Sequence, residues 1–159
     1  MILTLRVLYL LAYIVIASQG IFYFIAVADA CYALPLEGFI EFRKAVERVI
    51  ETPLRFLYYS SVLLAVSILI SQIRSFHSIL FYSVLISLGF LLADVVLGIT
   101  KSMPLNVLIR TYNSSSDQLL YEFIRAQWLF YIKMRGLLAI SGLLILLSGF
   151  VWDTVAFKK

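Results

Sequence analysis

Only one cysteine, Cys31, occurs in the 159-residue chain, so no intrachain disulfide can form, and a CxxC redox or zinc motif is absent. Histidine is equally scarce. His77 is the sole imidazole and stands in a short polar stretch a membrane thickness away from the deepest acid, Asp94. Zinc, iron and haem sites need clustered ligands, and a serine–histidine hydrolase needs its base beside the nucleophile. No metal or cofactor is expected. Charge is sparse as well: Asp, Glu, Lys and Arg make up 14% of residues, against roughly 25% in soluble domains. The 13 basic residues exceed the 9 acidic ones by +4 but are scattered among segment ends, and without a basic stripe no nucleic-acid partner is expected.

What the chain has in quantity is apolar surface. Hydrophobic residues account for 63%. One domain of this length cannot bury so much, so part of it must face a lipid bilayer. About 30 Å of hydrocarbon takes roughly 20 helical residues to cross. Four stretches meet that demand, over residues 7–28, 54–73, 78–99 and 128–152, with Trp152 as an interfacial anchor. They are too long, and too uniformly apolar, to be barrel strands. Arg6 and the run behind it imitate a signal peptide. That run outlasts a usual signal core, however, and no clear small-x-small cleavage site follows it, so it is expected to stay as the first membrane helix. The fold expected is therefore all-α: a single-domain four-helix transmembrane bundle with both termini on the same side.

The connections are unequal. Arg74, Ser75, Phe76 and His77 make a short turn between helices two and three. In residues 37–51, Phe39, Phe42, Val46, Val49 and Ile50 recur every three or four positions among charged neighbours, the period of an amphipathic helix. Such a helix lies flat on the membrane or packs over the bundle mouth. Pro53 then suits the first turn of the second membrane helix. A second amphipathic segment covers residues 117–128, with Ser115 and Gln118 as a capping box. No proline interrupts residues 117–151, so one continuous helix of about 35 residues and about 50 Å is expected there. Gly20 precedes Pro35-Leu36 by the interval that separates Gly89 from Pro104-Leu105, which suggests two similar halves, each with a Pro-Leu turn, or else coincidence. Small residues mark packing faces at Gly89 and Ala93, at Ala139, Gly142 and Gly149, and at Ser60, Ser67 and Ser71. A literal Lys/Arg count makes the long-connection side cytoplasmic. The signal-like start argues for cytoplasmic termini, the orientation adopted here.

Asp94 is the most pointed polar feature, because a charge within hydrocarbon costs at least a few kcal/mol and so faces a partner or water. It lies seven residues before Lys101, about 10 Å inside the membrane edge at helical rise. Arg135 follows the interfacial candidate Trp128 by the same interval, so the two are expected to meet. The pair reads as a structural link between helices three and four, or as a site for a polar substrate group or proton; a neutral, protonated Asp94 is the third alternative. Asp29, Cys31, Glu37, Arg55, Tyr58, Tyr59, Asn106 and Glu122 fall on the same side, as a polar vestibule or as ordinary interfacial residues. With Asp29 nearby, Cys31 is expected to be structural.

Gly20, the aromatic-rich acidic connection through Phe39 and Phe42, Pro104-Leu105-Asn106, and Trp128 placed seven residues before Arg135 together resemble the anthrone-oxygenase-like family of small four-helix membrane proteins. The resemblance spans nearly the whole chain in layout, through short motifs. It implies Asn106, Trp128 and Arg135 as site residues, since some members are similar to enzymes that oxidise polycyclic aromatic substrates without an evident cofactor. The chain departs from the pattern in having Tyr131 and Ile132 where a histidine or polar residue often stands. Two functions follow from these readings. The first is a noncatalytic accessory or structural subunit of a membrane complex, alone or as a homo-oligomer. The second is a membrane enzyme or binder for an apolar aromatic small molecule, using Asp94, Arg135, Asn106 and Trp128. A transporter ranks third, because a single intramembrane acid and unbroken helices give a monomer little to conduct with.

Overall fold

The computed structural model describes residues 2–73, 77–113 and 117–156, with side chains described as far as residue 153. Helix α1 (Ile2–Phe22) continues through a π-helical segment, Tyr23–Val27, into α2 (Ala28–Ala33). Helix α3 spans Leu36–Ser71. Helix α4 (Ile79–Leu97) passes through a second π segment, Gly98–Ser102, into α5 (Met103–Arg110), and α6 covers Gln118–Ala156. Four helical runs, Ile2–Ala33, Leu36–Ser71, Ile79–Arg110 and Gln118–Asp153, are long and apolar enough to cross a membrane. The chain is all-α and fits a multi-pass integral membrane protein, with Leu3, Ile25, Phe56, Leu63 and Leu144 among the apolar side chains left on its outside.

Local chemistry sets the boundaries. Leu34 is extended because it precedes Pro35, and that break turns the chain from α2 into α3. Ser78 caps α4 by accepting the Phe81 N–H at 3.1 Å. At the start of α6, Asp117 Oδ1 accepts the Leu119 N–H at 3.0 Å. Ser115, expected in the cap, lies outside the described residues, as do Arg74, Ser75 and Phe76. The continuous fourth helix is present, running unbroken through Trp128, Arg135 and Gly136.

Two expectations at prolines are corrected. The amphipathic stretch 37–51 is not a separate helix, because α3 carries it straight into the membrane span with Pro53 in its interior. Pro53 and Val49 are both on the exposed face, where solvent or headgroups can satisfy the carbonyl that loses its N–H partner. Pro104 makes no turn either. It stands at the start of α5, directly after the π segment, where a missing N–H is tolerated. The two halves thus share an interval but not a turn.

Around the bundle, α6 packs against α4 and α1, and α3 closes the ring by touching α1 and α4. Across the middle, Tyr9 OH meets Ser87 Oγ at 3.0 Å and Tyr13 OH donates to the Ser87 carbonyl at 2.9 Å, tying α1 to α4. Helices α1 and α6 cross at Gly20 and Gly136, so close that a Cβ on Gly20 would lie 2.5 Å from Gly136 Cα. Ala139, Gly142 and Gly149 face inward as expected, with Gly142 under Tyr13 and Gly149 under Ser83. Gly89 and Ala93 do not: Ser87, Leu88, Leu91 and Asp94 hold the inward positions of α4, which turns 89 and 93 outward, and a Cβ on Gly89 would meet nothing within 4 Å. On α3 the buried stripe is Ser61, Ala65 and Ile68, whereas Ser60, Ser67 and Ser71 bond their own helix carbonyls.

The core has two parts. One fills the bundle, from Tyr9 and Tyr13 through Ala65, Ile68 and Leu91 to Leu146. The other gathers Cys31, Leu36, Phe39, Leu105, Ile109, Tyr121 and Trp128 into a lobe at the long-connection end. At the opposite end Arg6 Nη1 bonds Asp153 Oδ2 at 2.9 Å, which ties the first turns of α1 to the last turns of α6. Buried Gln72 joins them from α3, accepting from Arg6 Nε at 3.1 Å with its amide oxygen turned toward the guanidinium.

Candidate functional site

The four candidate residues separate into two layers. In the first, α4 presents Asp94 on the same inward row as Ser87 and Leu91, and Asp94 is only 1% exposed. Arg135 of α6 donates from Nε to Asp94 Oδ1 at 2.5 Å. Tyr58 of α3 donates its hydroxyl to Asp94 Oδ2, and Arg135 Nη2 reaches the same hydroxyl at 3.4 Å. The guanidinium rests over Gly98, where an added Cβ would come within 3.3 Å of Arg135 Cζ. Both carboxylate oxygens are therefore engaged and the charge is neutralised in place. The expected Asp94–Arg135 contact exists, with Tyr58 as a third member that joins α3 to α4 and α6.

The second layer lies seven residues along α6, about 10 Å at helical rise. Trp128 is buried, because the lobe of α2, α5 and the start of α3 covers it. Its Nε1 donates to Asn106 Oδ1 at 2.8 Å. Arg43 Nη2 donates to the same oxygen at 3.0 Å, with its guanidinium carbon 4.3 Å from the Trp128 ring centroid. Tyr23 and Phe39 meet the indole edge-on at 5.9 and 5.8 Å. Asn106 Oδ1 is thus a shared acceptor locking α3, α5 and α6 together.

Of the residues expected to line a vestibule, Tyr58 belongs to the first layer and Asn106 to the second. Cys31 is buried in the lobe core, and Glu122 pairs with Arg125 at 2.5 Å. Asp29, Glu37, Arg55 and Tyr59 are at the surface. Among the described residues no three His, Cys, Asp or Glu side chains come together as a metal site would require. An apolar depression on the outside of α1, between Ser18 and Ala26, includes none of the candidate residues.

Arg43 is the functional-looking residue that sequence reasoning missed, having read it as part of the polar flank of an amphipathic helix. Its spacing carried the signal: it lies four residues after Phe39 and seven after Leu36, on the buried stripe of α3. No protein-family model, curated protein or solved structure matches the chain.

Proposed function

We propose that this protein is a noncatalytic membrane subunit, a scaffold whose bundle is fixed from within and whose outer surface serves association in a larger complex. The observation that carries this reading is the closed Asp94–Arg135–Tyr58 triad: Asp94 is 1% exposed and each of its oxygens already holds a donor. A catalytic or transport acid must meet substrate or water, and this one is spent on joining three helices. Support for association comes from Gly89 and Ala93, which leave a shallow face on the outside of α4, flanked by exposed Leu85, Ile86 and Leu92. Small residues at such spacing allow a transmembrane helix of another subunit to approach closely. The chain ends are assigned to the cytoplasmic face on the strength of the signal-like N-terminus.

The test is native purification in mild detergent with mass spectrometry of everything that accompanies the protein, alongside the Gly89→Leu variant. A stoichiometric membrane subunit that is lost from Gly89→Leu supports the reading. A stoichiometric quinone, polyketide or other apolar aromatic molecule retained by both proteins overturns it in favour of an anthrone-oxygenase-like binder.

A further inference from the structure

The deep layer is electrically closed, but the layer above it is not. Arg43 is 6% exposed and, among the described residues, forms none of the salt bridges that hold Arg6, Arg55, Arg110, Arg125 and Arg135. Its acceptor is the neutral oxygen of Asn106, already shared with Trp128, and its Nε–H is buried with no acceptor among the described residues. Glu47, one turn further along α3, is the acid nearest in sequence on that side of the helix. Arg110 occupies it from both sides, with Nε to Oε2 at 3.0 Å and Nη2 to Oε1 at 2.5 Å. Stacking on Trp128 offsets only part of the cost of desolvating a guanidinium. One formal positive charge is left over in the centre of the lobe.

We infer that Arg43, held by Asn106 and stacked on Trp128, binds the phosphate of an anionic lipid headgroup at the membrane interface. Three features point to that ligand. A guanidinium offers planar, charge-assisted donors that match phosphate oxygens, and here a buried Nε–H is vacant. The Trp128 layer stands about 10 Å outside the Asp94–Arg135 layer, at the depth where headgroups lie if Asp94 is about 10 Å inside the hydrocarbon edge. Phe42 and Val107, the sequence neighbours of Arg43 and Asn106, are exposed apolar side chains of α3 and α5, surface for acyl chains to follow. Arg125 adds no net field, because Glu122 pairs with it at 2.5 Å, which leaves Arg43 as the uncompensated charge of the lobe. This site is independent of the accessory-subunit reading and would serve a scaffold or an enzyme equally.

Trp128 reports on it directly, since Trp152 is the only other tryptophan. The Trp152→Phe protein in a neutral maltoside detergent is titrated with dihexanoyl phosphatidic acid, dihexanoyl phosphatidylcholine and sodium phosphate, following tryptophan emission. A saturable change with phosphatidic acid is expected, at least tenfold weaker with phosphatidylcholine. Adding Arg43→Gln should weaken it at least tenfold. Adding Arg110→Gln should do the same without touching the site, because it frees Glu47 to pair with Arg43, whereas Arg48→Gln should leave it unchanged. If sodium phosphate competes at equal concentration, free phosphate, not lipid, is the ligand and the lipid assignment fails. Equal responses to both lipids, no saturable change, or an unaltered response in folded Arg110→Gln also overturn the proposal.

Discussion

Breaking the Asp94–Arg135 pair one member at a time tests what holds the bundle. Removing one partner of a buried ion pair strands the other and costs about 3–5 kcal/mol. The two sides are not equivalent. The Asp94 side chain is 2% exposed and that of Arg135 is 19% exposed. In Asp94→Asn, Arg135 keeps the Tyr58 hydroxyl and can slide its long stem toward the interface, so the loss should fall at the lower end, about 3 kcal/mol. In Arg135→Gln the carboxylate has nowhere to go and retains only Tyr58, so the loss should approach about 5 kcal/mol. At about 2–4 °C per kcal/mol, these losses correspond to Tm reductions of about 6–12 °C and about 10–20 °C. The double variant places two neutral amides where the charges met, and should recover more than half of the larger loss. Thermal unfolding in detergent, followed by circular dichroism, measures all three. Tm shifts under about 2 °C in both single variants would refute the reasoning, because the pair would then contribute less than about 1 kcal/mol.

Tyr58→Phe removes the donor to Asp94 Oδ2, a charge-assisted bond, and should cost about 1.5–3 kcal/mol in the same assay; a neutral effect would place the hydroxyl outside the triad. Gly20→Val should destabilise the protein by more than the usual overpacking cost of about 1–3 kcal/mol, since the obstruction is the Gly136 backbone, while Gly89→Val in detergent monomer should stay within about 1 kcal/mol of the parent. Arg6→Gln should cost about 1–3 kcal/mol, because it removes a donor to the buried Gln72 oxygen as well as the partly solvated pair with Asp153, at 23% and 36% exposure; a neutral effect would place Gln72 outside this contact. Hydrogen exchange should show protection continuing through residues 49–57, because α3 is one helix across Pro53, and a fast-exchanging break there would restore the two-helix picture.

The membrane spans were legible because they obey rules of length and hydropathy that no tertiary contact can override. Asp94 and Arg135 were legible for a related reason: in hydrocarbon a charge has so few partners that depth alone nominates the match. Closer to the interface that constraint relaxes. Arg43 could be solvated or buried there with equal chemical sense, and only the stripe it shares with Leu36 and Phe39 separates the two. Pro104 and Pro53 misled because local propensity favours a break, whereas a surface position at 53 and a π segment before 104 remove the penalty. Gly89 and Ala93 have the spacing of a packing face, but spacing does not fix the direction a face points. Tyr58 was noted only for its side of the membrane, because nothing in the sequence aligns α3 rotationally with α4.

The π segments give this architecture a property that an unbroken α-helix would lack. Each widened turn holds a residue more than an α-turn would; in the second, the Met103 N–H bonds the Gly98 carbonyl, leaving Lys101 outside and Ser102 inside. Deleting one residue there, Thr100 for instance, would let the turn relax to α with everything beyond it facing as before, since the four α residues that remain sweep about the same angle as the five of the widened turn. Asn106 would keep Trp128 and Arg43, and Asp94 would keep Arg135. The segment is thus a place where the chain can lose a residue without re-indexing the lobe against the bundle.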